Sequence, residues 1–530
     1  MDSKDYWLER ETQNALKSDR YADKQIELIT RWFNRSKKEM SSKVLEFYRK
    51  YAEKEGVTLN QAKQQLNDPR LLKTTLEEYY SLSEKSLYSA EIQQYLDKIN
   101  ASQSISREDF LKLQLDLILQ NVYNNYEEIT TNTLTSSFED SYYKDMFDFQ
   151  QYQGFGNSFN RLSTNQILAA VTTNWSGKNY SERIWDQKIS LARRVNRIIT
   201  TGMITGRSNK EMRQELEKEV DTSTYNARRL IRTESCYVTG QAAMLSYKQN
   251  DTKKYKYYAV LDFKTSQICQ DLDGKAFDVD KAEVGINYPP MHPHCRSRTA
   301  PCIPNDELDK ISGVGTRAAR DHEGNTYEVP ADMNYKDWHK KYVEGIPEAE
   351  LYEKKIRNIY GDNIQYKKYK NILEKDAPKS LDDMQTLKYT DEENYKKLKW
   401  DYGFTNRYRA KDVSELVPHY AEPQGINKKL TAYCLNKEHD VGKHKAIVFE
   451  SALGYIPENA DKLERQLRNG LKKFKFNNVE ETEHGTKYSV KMLVNGVNGN
   501  KQPLSTAWQI DKGTDELRMV TAFVDKNTRP

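Results

Sequence analysis

The chain has 530 residues, 30% charged and 37% hydrophobic, long enough for three or four domains and at least one sizeable core. Its 83 basic residues against 78 acidic leave a formal charge of only +5, which excludes a polycation and confines any nucleic-acid surface to a local patch. The 36 tyrosines and only 14 prolines exclude wholesale disorder, and the low apolar share favours long solvated helices over a large barrel or doubly wound sheet.

No run of 18 apolar residues occurs, so no membrane-spanning helix and no membrane partner are expected. The N-terminal stretch MDSKDYWLERETQNALKSDR is charged where a signal peptide needs an apolar core, so the expected starting place is the cytoplasm of the producing cell. Five scattered cysteines (Cys236, Cys269, Cys295, Cys302, Cys434) fit a reducing compartment better than a disulfide scaffold.

Residues 1–135 read as a helical bundle or stalk. Apolar residues recur at helical spacing through Ile26, Ile29, Trp32, Phe33, Val44, Leu45 and Phe47. Thr58 and Ser106 each look like a helix cap opening a new segment. In 136–345 the run Gly154-Phe-Gly and the stretch Asn157-Ser-Phe-Asn break the helical pattern, and Trp175-Ser-Gly-Lys-Asn-Tyr reads as a turn. Helices resume at Ser181 and after the cap Ser208, and a further helix over 225–248 carries Arg232-Thr-Glu234. A β-containing module is expected over 254–302. The segment 346–414 reads as a polar helical linker.

Residues 415–530 read as a small α+β domain. The predicted order is a strand at Leu430-Thr-Ala-Tyr-Cys-Leu, helices over Lys443 to Leu453 and Asn459 to Phe474, and three β runs from Lys487, Leu504 and Leu517. Asn495-Gly-Val-Asn-Gly-Asn is a hairpin signal. The expected fold class is therefore a mainly α N-terminal body, a central α+β module and a small α+β C-terminal domain. No Gly-rich phosphate loop is present, which disfavours nucleotide-driven motor chemistry.

Tyr258-Ala-Val-Leu-Asp262-Phe-Lys-Thr265-Ser-Gln-Ile-Cys269-Gln-Asp271-Leu-Asp273-Gly274, with Pro289-Pro-Met-His292-Pro-His294-Cys295-Arg296 after it, resembles the signature of phage minor head proteins, the head-morphogenesis family. Arg232-Thr233-Glu234 matches that family's Arg-Thr-Glu helix. Tyr6-Trp7 with Arg10, Trp175-Ser-Gly, Ser181-Glu-Arg-Ile-Trp185 and Tyr335-Lys-Asp-Trp338 resemble its Gram-positive phage branch. The resemblance spans roughly 1–345. It implies a virion protein in the capsid interior, present in the host cytoplasm during assembly. The implied partners are the portal protein, scaffold or major capsid protein, and packaged DNA held weakly and without sequence preference. Arg193-Arg194, Arg228-Arg229 and Lys472-Lys473 are the local basic pairs available for such contact.

Cys269, His292, His294 and Cys295 are of zinc-ligand type, but they lack two Cys-x-x-Cys knuckles. The expectation is a module that folds without zinc or other cofactor, with Cys269 as a small core residue. Asp262, Asp271 and Asp273 offer carboxylates for a hard cation, although Asp-x-Asp-Gly is also a common turn. Arg232 and Glu234 are expected to tie the helix to the β module.

His439-Asp-Val-Gly442-Lys443-His444-Lys445, with His484, Thr506-Ala-Trp508 and Thr521, resembles the toxin-type domains fused to minor head proteins, a group related to the barnase, EndoU, colicin and RelE nucleases. The resemblance covers about 425–527 and carries over to His439, Gly442, Lys445 and Trp508. Metal-free RNA cleavage needs a proton acceptor for the 2′-OH, a donor for the 5′-oxygen and a cation for the phosphorane. Histidine and lysine supply these. His439, Lys445, His484 and Thr506 are therefore the candidate catalytic residues of an endoribonuclease, and Lys443, His444 and Trp508 the candidate RNA-binding ones. Thr521 is a further wall of the cleft. The same stretch also reads as a solvated basic helix start, and the alternatives for the whole chain are an injected nuclease effector or a DNA-end-binding module without catalysis.

Overall fold

A computed structural model describes residues 3–52, 77, 106–154, 161–302 and 316–525. The expected start at Thr58 and the Asn157-Ser-Phe-Asn break lie outside the described residues. The chain divides into two units, Met1–Ala349 and Glu350–Pro530, and the described structure is mainly helical with small antiparallel sheets.

The first unit is built on long helices: α1 (Ser3–Phe47), α2 (Arg107–Gln153), α3 (Thr164–Val171), α4 (Tyr180–Ile204) and α5 (Asn209–Gln249). Their starts follow from local chemistry. The Ser106 side chain accepts from the Asp109 amide, and Asn179 and Ser208 form reciprocal capping boxes with Glu182 and Glu211. The boundary expected at 135/136 falls inside α2. Ser137, Phe138, Tyr142, Met146 and Phe149 keep the buried spacing going, and the helix ends only where Gly154 adopts a left-handed conformation.

One core joins α1, α2, α4 and α5 through Phe33, Tyr123, Tyr126, Ile184, Val195, Leu216 and Ile231. Tyr123 and Tyr126 meet Phe33 edge-on at 5.6 and 6.1 Å between ring centres. At Gly202 an added Cβ would lie 1.9 Å from Met212 Sδ, so α4 and α5 approach there only because the side chain is absent.

The C-terminal half of α5 carries the β module. Strands β1 (Lys254–Tyr258), β2 (Ala276–Asp278) and β3 (Arg298–Cys302) form an antiparallel sheet in the order β2-β1-β3. The short helix α6 (Gln267–Leu272) lies between β1 and β2, and β4 (Thr316–Arg320) pairs with β5 (Thr326–Pro330). Tyr247 donates to Thr299 O at 2.9 Å and Tyr288 donates to Gly240 O at 2.5 Å, so α5 is bonded directly to the module. Helix α7 (Tyr335–Tyr342) follows, with Trp338 fully buried against Phe263.

Helix α8 (Pro347–Arg357) runs across the boundary, and the second unit continues with α9 (Ile359–Leu373), α10 (Leu381–Thr390) and α11 (Glu392–Tyr408). The segment read as a polar linker is instead packed. Tyr369, Leu373, Met384 and Leu398 form a small core, and Lys501 of the C-terminal sheet sits between Asp376 and Asp401 at 3.0 and 3.1 Å.

The short helix α12 (Ile426–Lys429) runs into a π-helical turn, Leu430–Cys434, where a strand was expected. Leu430 and Cys434 are both buried, a four-residue spacing that helical winding satisfies and an alternating strand would also allow. Helices α13 (Lys443–Leu453) and α14 (Ala460–Leu471) then precede an antiparallel sheet of β6 (Phe476–Thr482), β7 (Gly485–Asn495), β8 (Lys501–Asp511) and β9 (Leu517–Val524) in chain order. The expected hairpin joins β7 to β8. Val490, Met492, Leu504, Trp508 and Met519 share a core with Leu463 and Leu467 of α14 and Phe449 of α13.

Candidate functional site

Two clusters carry chemistry, one in each unit. In the first, α6 presents Cys269, and the loop from Pro289 to Ser297 presents His292 and Cys295. One ligand atom from each lies within 4.8 Å of the others. Cys269 Sγ is 3.3 Å from His292 Nε2 and 3.9 Å from Cys295 Sγ. His292 Nδ1 lies 2.8 Å from Pro293 O. A carbonyl can only accept, so Nδ1 carries the proton and the Nε2 lone pair faces the thiols.

Both cysteines are buried, and the Tyr257 hydroxyl donates to Cys269 Sγ at 3.3 Å. Cys236, on α5, packs in the same buried cluster, and its thiol donates to Ser297 O at 3.7 Å. Hydrogen bonds from the Cys236 and Cys269 thiols hold Cys295 far below the ordinary thiol range, while bonding to Cys295 and burial push Cys236 and Cys269 up.

His294 does not join this cluster. Its backbone, at φ 63°, turns the ring toward Tyr225 on α5, 5.8 Å between ring centres, and its amide donates to Thr233 Oγ1 at 3.0 Å. Thr233 thus supplies the tie expected from its neighbours. Arg232 pairs with Asp23 of α1 at 2.5 Å. Glu234 accepts from Trp175 Nε1 at 2.9 Å and lies 3.9 Å from Arg183. Its carboxyl is raised above the usual carboxylate range by burial, which outweighs the Trp175 bond and Arg183.

The aspartates are structural ties. Asp262 accepts two bonds from Arg296, at 2.6 and 2.9 Å. Asp273 accepts from Arg317, the Ala259 amide and the Tyr335 amide. Asp271 is exposed and bonded to Gln267, so the three do not converge on a cation.

The second cluster lies where the π-helical turn, the start of α13 and β9 meet. Lys445 Nζ donates to Thr521 Oγ1 at 2.7 Å and to the Tyr433 hydroxyl at 3.1 Å. A bulge in β9 opposite Ala507 and Trp508 precedes Thr521, a device that re-aims strand side chains. Lys429 and Lys445 place their ammonium groups 4.5 and 4.6 Å from the centre of the Tyr433 ring. The His439 ring stands edge-on to Tyr433 at 4.9 Å. Its Nδ1 accepts from the Val441 and Gly442 amides, each at 3.2 Å. The neutral ring therefore carries its proton on Nε2, which suits donation rather than proton abstraction.

Gly442 makes this turn fit: an added Cβ would lie 2.2 Å from Tyr433 O.

Lys443 and His444 are exposed in the first turn of α13. The other candidates lie apart. Trp508 is fully buried and donates to Thr506 Oγ1, which itself donates to Val490 O. Neither can touch RNA, because both side chains are core. His484 sits at the β6–β7 turn, where its carbonyl accepts from the Lys512 amide. Thr521 pairs with Ala507 and Gly485 with Asp511, so His484 is about 13 Å along the sheet from the lysine cluster at a rise of ~3.3 Å per residue. Lys429 and Tyr433 were not found from the sequence. A helical reading of 426–434 would have put them four apart on one face.

Residues 193–300 match the family model described as Phage Mu protein F like protein, and residues 418–526 match a domain of unknown function, DUF6883. The chain is 23% identical over 240 residues to the NAD(+)--arginine ADP-ribosyltransferase EFV of Enterococcus faecalis, a match covering 43% of this chain and 47% of that protein. It is 23% identical over 247 residues to the minor head protein GP7 of Bacillus phage SPP1, covering 44% of this chain and 78% of that one. The chain thus spans about half the length of the first relative. No solved structure matches it. Among the described residues no helix is long and apolar enough to cross a membrane.

Proposed function

We propose that this chain is a phage minor head protein that takes part in head morphogenesis and carries a C-terminal domain acting on nucleic acid. The carrying observation is the family match over 193–300, which takes in the C-terminal half of α4, all of α5 and the Cys/His module, together with the similarity to a minor head protein. In this reading the chain enters the procapsid with portal and scaffold or major capsid protein, and its first unit provides the docking body. A relative named for ADP-ribosyl transfer and matched over less than half its length fits a body that bears different terminal domains.

Contact with packaged DNA is weak and salt-sensitive in this reading. Four of the arginines around the cleft beside β1 and β4 are neutralised in place: Arg296 by Asp262, Arg298 by Asp19, Arg317 by Asp273 and Arg232 by Asp23. Arg194 is held by Glu219 at 2.6 Å. The exposed Arg193, Arg228 and Arg229 remain for phosphate contact.

For the C-terminal domain the proposed chemistry is metal-independent RNA cleavage, with the finer likeness to the barnase, EndoU, colicin and RelE group. Lys429, Lys445 and the open first turn of α13 would hold the phosphate. His439 would donate from Nε2 to the leaving 5′-oxygen, which requires its Nδ1 to exchange the Val441 and Gly442 amide bonds for a proton. His444 is the imidazole nearest in sequence to take the 2′-OH proton.

Two experiments test these parts separately. Co-expression with portal and scaffold should place the full-length chain in procapsids; exclusion from them overturns the head reading. Incubating the full chain with RNA in excess chelator should give 2′,3′-cyclic phosphate ends, and His439→Ala should slow cleavage by about 10²–10⁴-fold. An unreactive parent chain, or variants of His439 and Lys445 that cleave like it, ends the nuclease reading.

A further inference from the structure

We propose that Cys269, His292 and Cys295, completed by Cys236, bind one structural zinc ion. Around a tetrahedral zinc with bonds of about 2.3 Å to sulfur and about 2.0–2.1 Å to nitrogen, ligand atoms stand about 3.8 Å apart for S···S and about 3.6 Å for S···N. The Cys269–Cys295 separation of 3.9 Å matches the first value, and the Cys269–His292 separation of 3.3 Å falls about 0.3 Å short of the second. Ordinary packing of thiols and an imidazole does not require so close a match.

Three further features belong to a metal site. The Nδ1 bond to Pro293 O fixes the His292 tautomer with its Nε2 lone pair inward, the outer-shell arrangement that orients metal-binding histidines. The Tyr257 hydroxyl bonds Cys269 Sγ from outside the cluster. Cys236, Cys269 and Cys295 are each only 2% exposed and His292 is half-buried, so three of the four ligands are enclosed, as in structural rather than catalytic zinc sites. Thiolate and imidazole ligands select zinc over the hard cations. Cys236 lies outside the 4.8 Å set but packs in the same buried cluster as Cys269 and Cys295, and it is the buried thiol that would swing in to close the tetrahedron.

The ion would clamp three separate pieces of chain: α5 through Cys236, α6 through Cys269 and the Pro-His loop through His292 and Cys295. The linear spacing hides this site. Only Cys295 and His292 are near neighbours in sequence, and the other two ligands come from separate elements.

The test uses the full chain, purified under reducing conditions without chelator. Elemental analysis should find about one zinc per chain. Cobalt reconstitution of the folded parent should give the intense thiolate-to-metal absorption of a sulfur-rich tetrahedral site, with no variant needed. Cys269→Ser, Cys295→Ser and His292→Ala should each lose most of the metal. Cys236→Ser should weaken retention and reduce the cobalt–thiolate band, while Cys302→Ser should keep the full zinc content. Folded, reduced parent protein without zinc and without a cobalt spectrum overturns the proposal. So does a Cys269–Cys295 disulfide in metal-free protein, or zinc retained in a Cys269→Ser/Cys295→Ser double variant.

Discussion

The central module and the C-terminal domain treat their reactive side chains in opposite ways. In the module the flagged cysteines are drawn inside, and each nearby carboxylate is matched to a partner: Asp262 to Arg296, Asp273 to Arg317, Glu234 to Trp175. In the C-terminal domain the lysines stay half-exposed around a tyrosine, and only the hydroxyl groups of Tyr433 and Thr521 accept from Lys445. Enclosed and matched polar groups fix a structure, whereas cations left facing water are free to meet an anion. Charged side chains are therefore matched and enclosed in the module, whereas in the C-terminal domain they stay open to water.

The largest expected effect tests the matching in the module. Asp273 is fully buried and holds Arg317 together with two backbone amides. Asp273→Ala strands a buried guanidinium and should cost about 3–5 kcal/mol, read from denaturant unfolding of the full chain. A change below ~1 kcal/mol, the scale of a surface ion pair, would place this pair with the exposed ones.

Trp508→Ala applies the same measurement to the other unit. A fully buried Trp bonded to Thr506 should cost about 3–5 kcal/mol. If Trp508 instead acted as a base-stacking platform, RNA affinity would fall while the unfolding curve stayed in place.

These placements show what was legible in the sequence. Helix starts were, because Ser106 and Ser208 cap by local bonds within a few residues. The hairpin at Asn495 was legible for the same reason. Strand β6 was not: in Phe476–Thr482 only Phe476 and Val479 are apolar, and most of the strand is exposed, so no alternation marks it. The π-helical turn at Leu430–Cys434 was misread because a short apolar run fits both helix and strand.

The candidate sites divided similarly. His439 and Lys445 are near in sequence and both lie against the Tyr433 ring, so their proximity was legible from spacing alone. Thr506 and Trp508 failed because strand residues two apart share a face, and here that face is the core. The placing of Cys236 in the same buried cluster as Cys269 and Cys295 was not legible, because nothing in α5 marks the helix face that the Pro-His loop would cover.

Gly442→Ala should have a smaller effect confined to the C-terminal cluster. The new methyl group would meet Tyr433 O and push the His439 turn away, at about 1–3 kcal/mol. RNA binding and cleavage should fall together, while the metal content of the first unit stays unchanged. If Gly442→Ala leaves both stability and RNA binding at parental values, the turn is not held against Tyr433 and the cluster does not act as one site.

The smallest effect separates two buried carboxylates within one unit by sign. Burial raises Glu234, so folding favours its protonated form. The stability it contributes is fully present below the ordinary carboxylate range and is lost as pH rises through its folded value. Asp262 is also pushed up by burial, but the two bonds from Arg296 reverse this and leave it depressed. Its contribution is present above the ordinary range and is lost as pH falls through its lower folded value. Glu234→Gln keeps an acceptor for Trp175 and removes the buried charge. It should be more stable than the parent near neutral pH by at most about 1.5 kcal/mol, the scale of one hydrogen bond, and the gap should close in acid. Asp262→Asn should be less stable near neutral pH, its gap also closing in acid. Melting curves at a series of pH values decide this. If both variants shift in the same direction near neutral pH, Arg183 compensates Glu234 as fully as Arg296 compensates Asp262. Burial would then not be the dominant influence on Glu234.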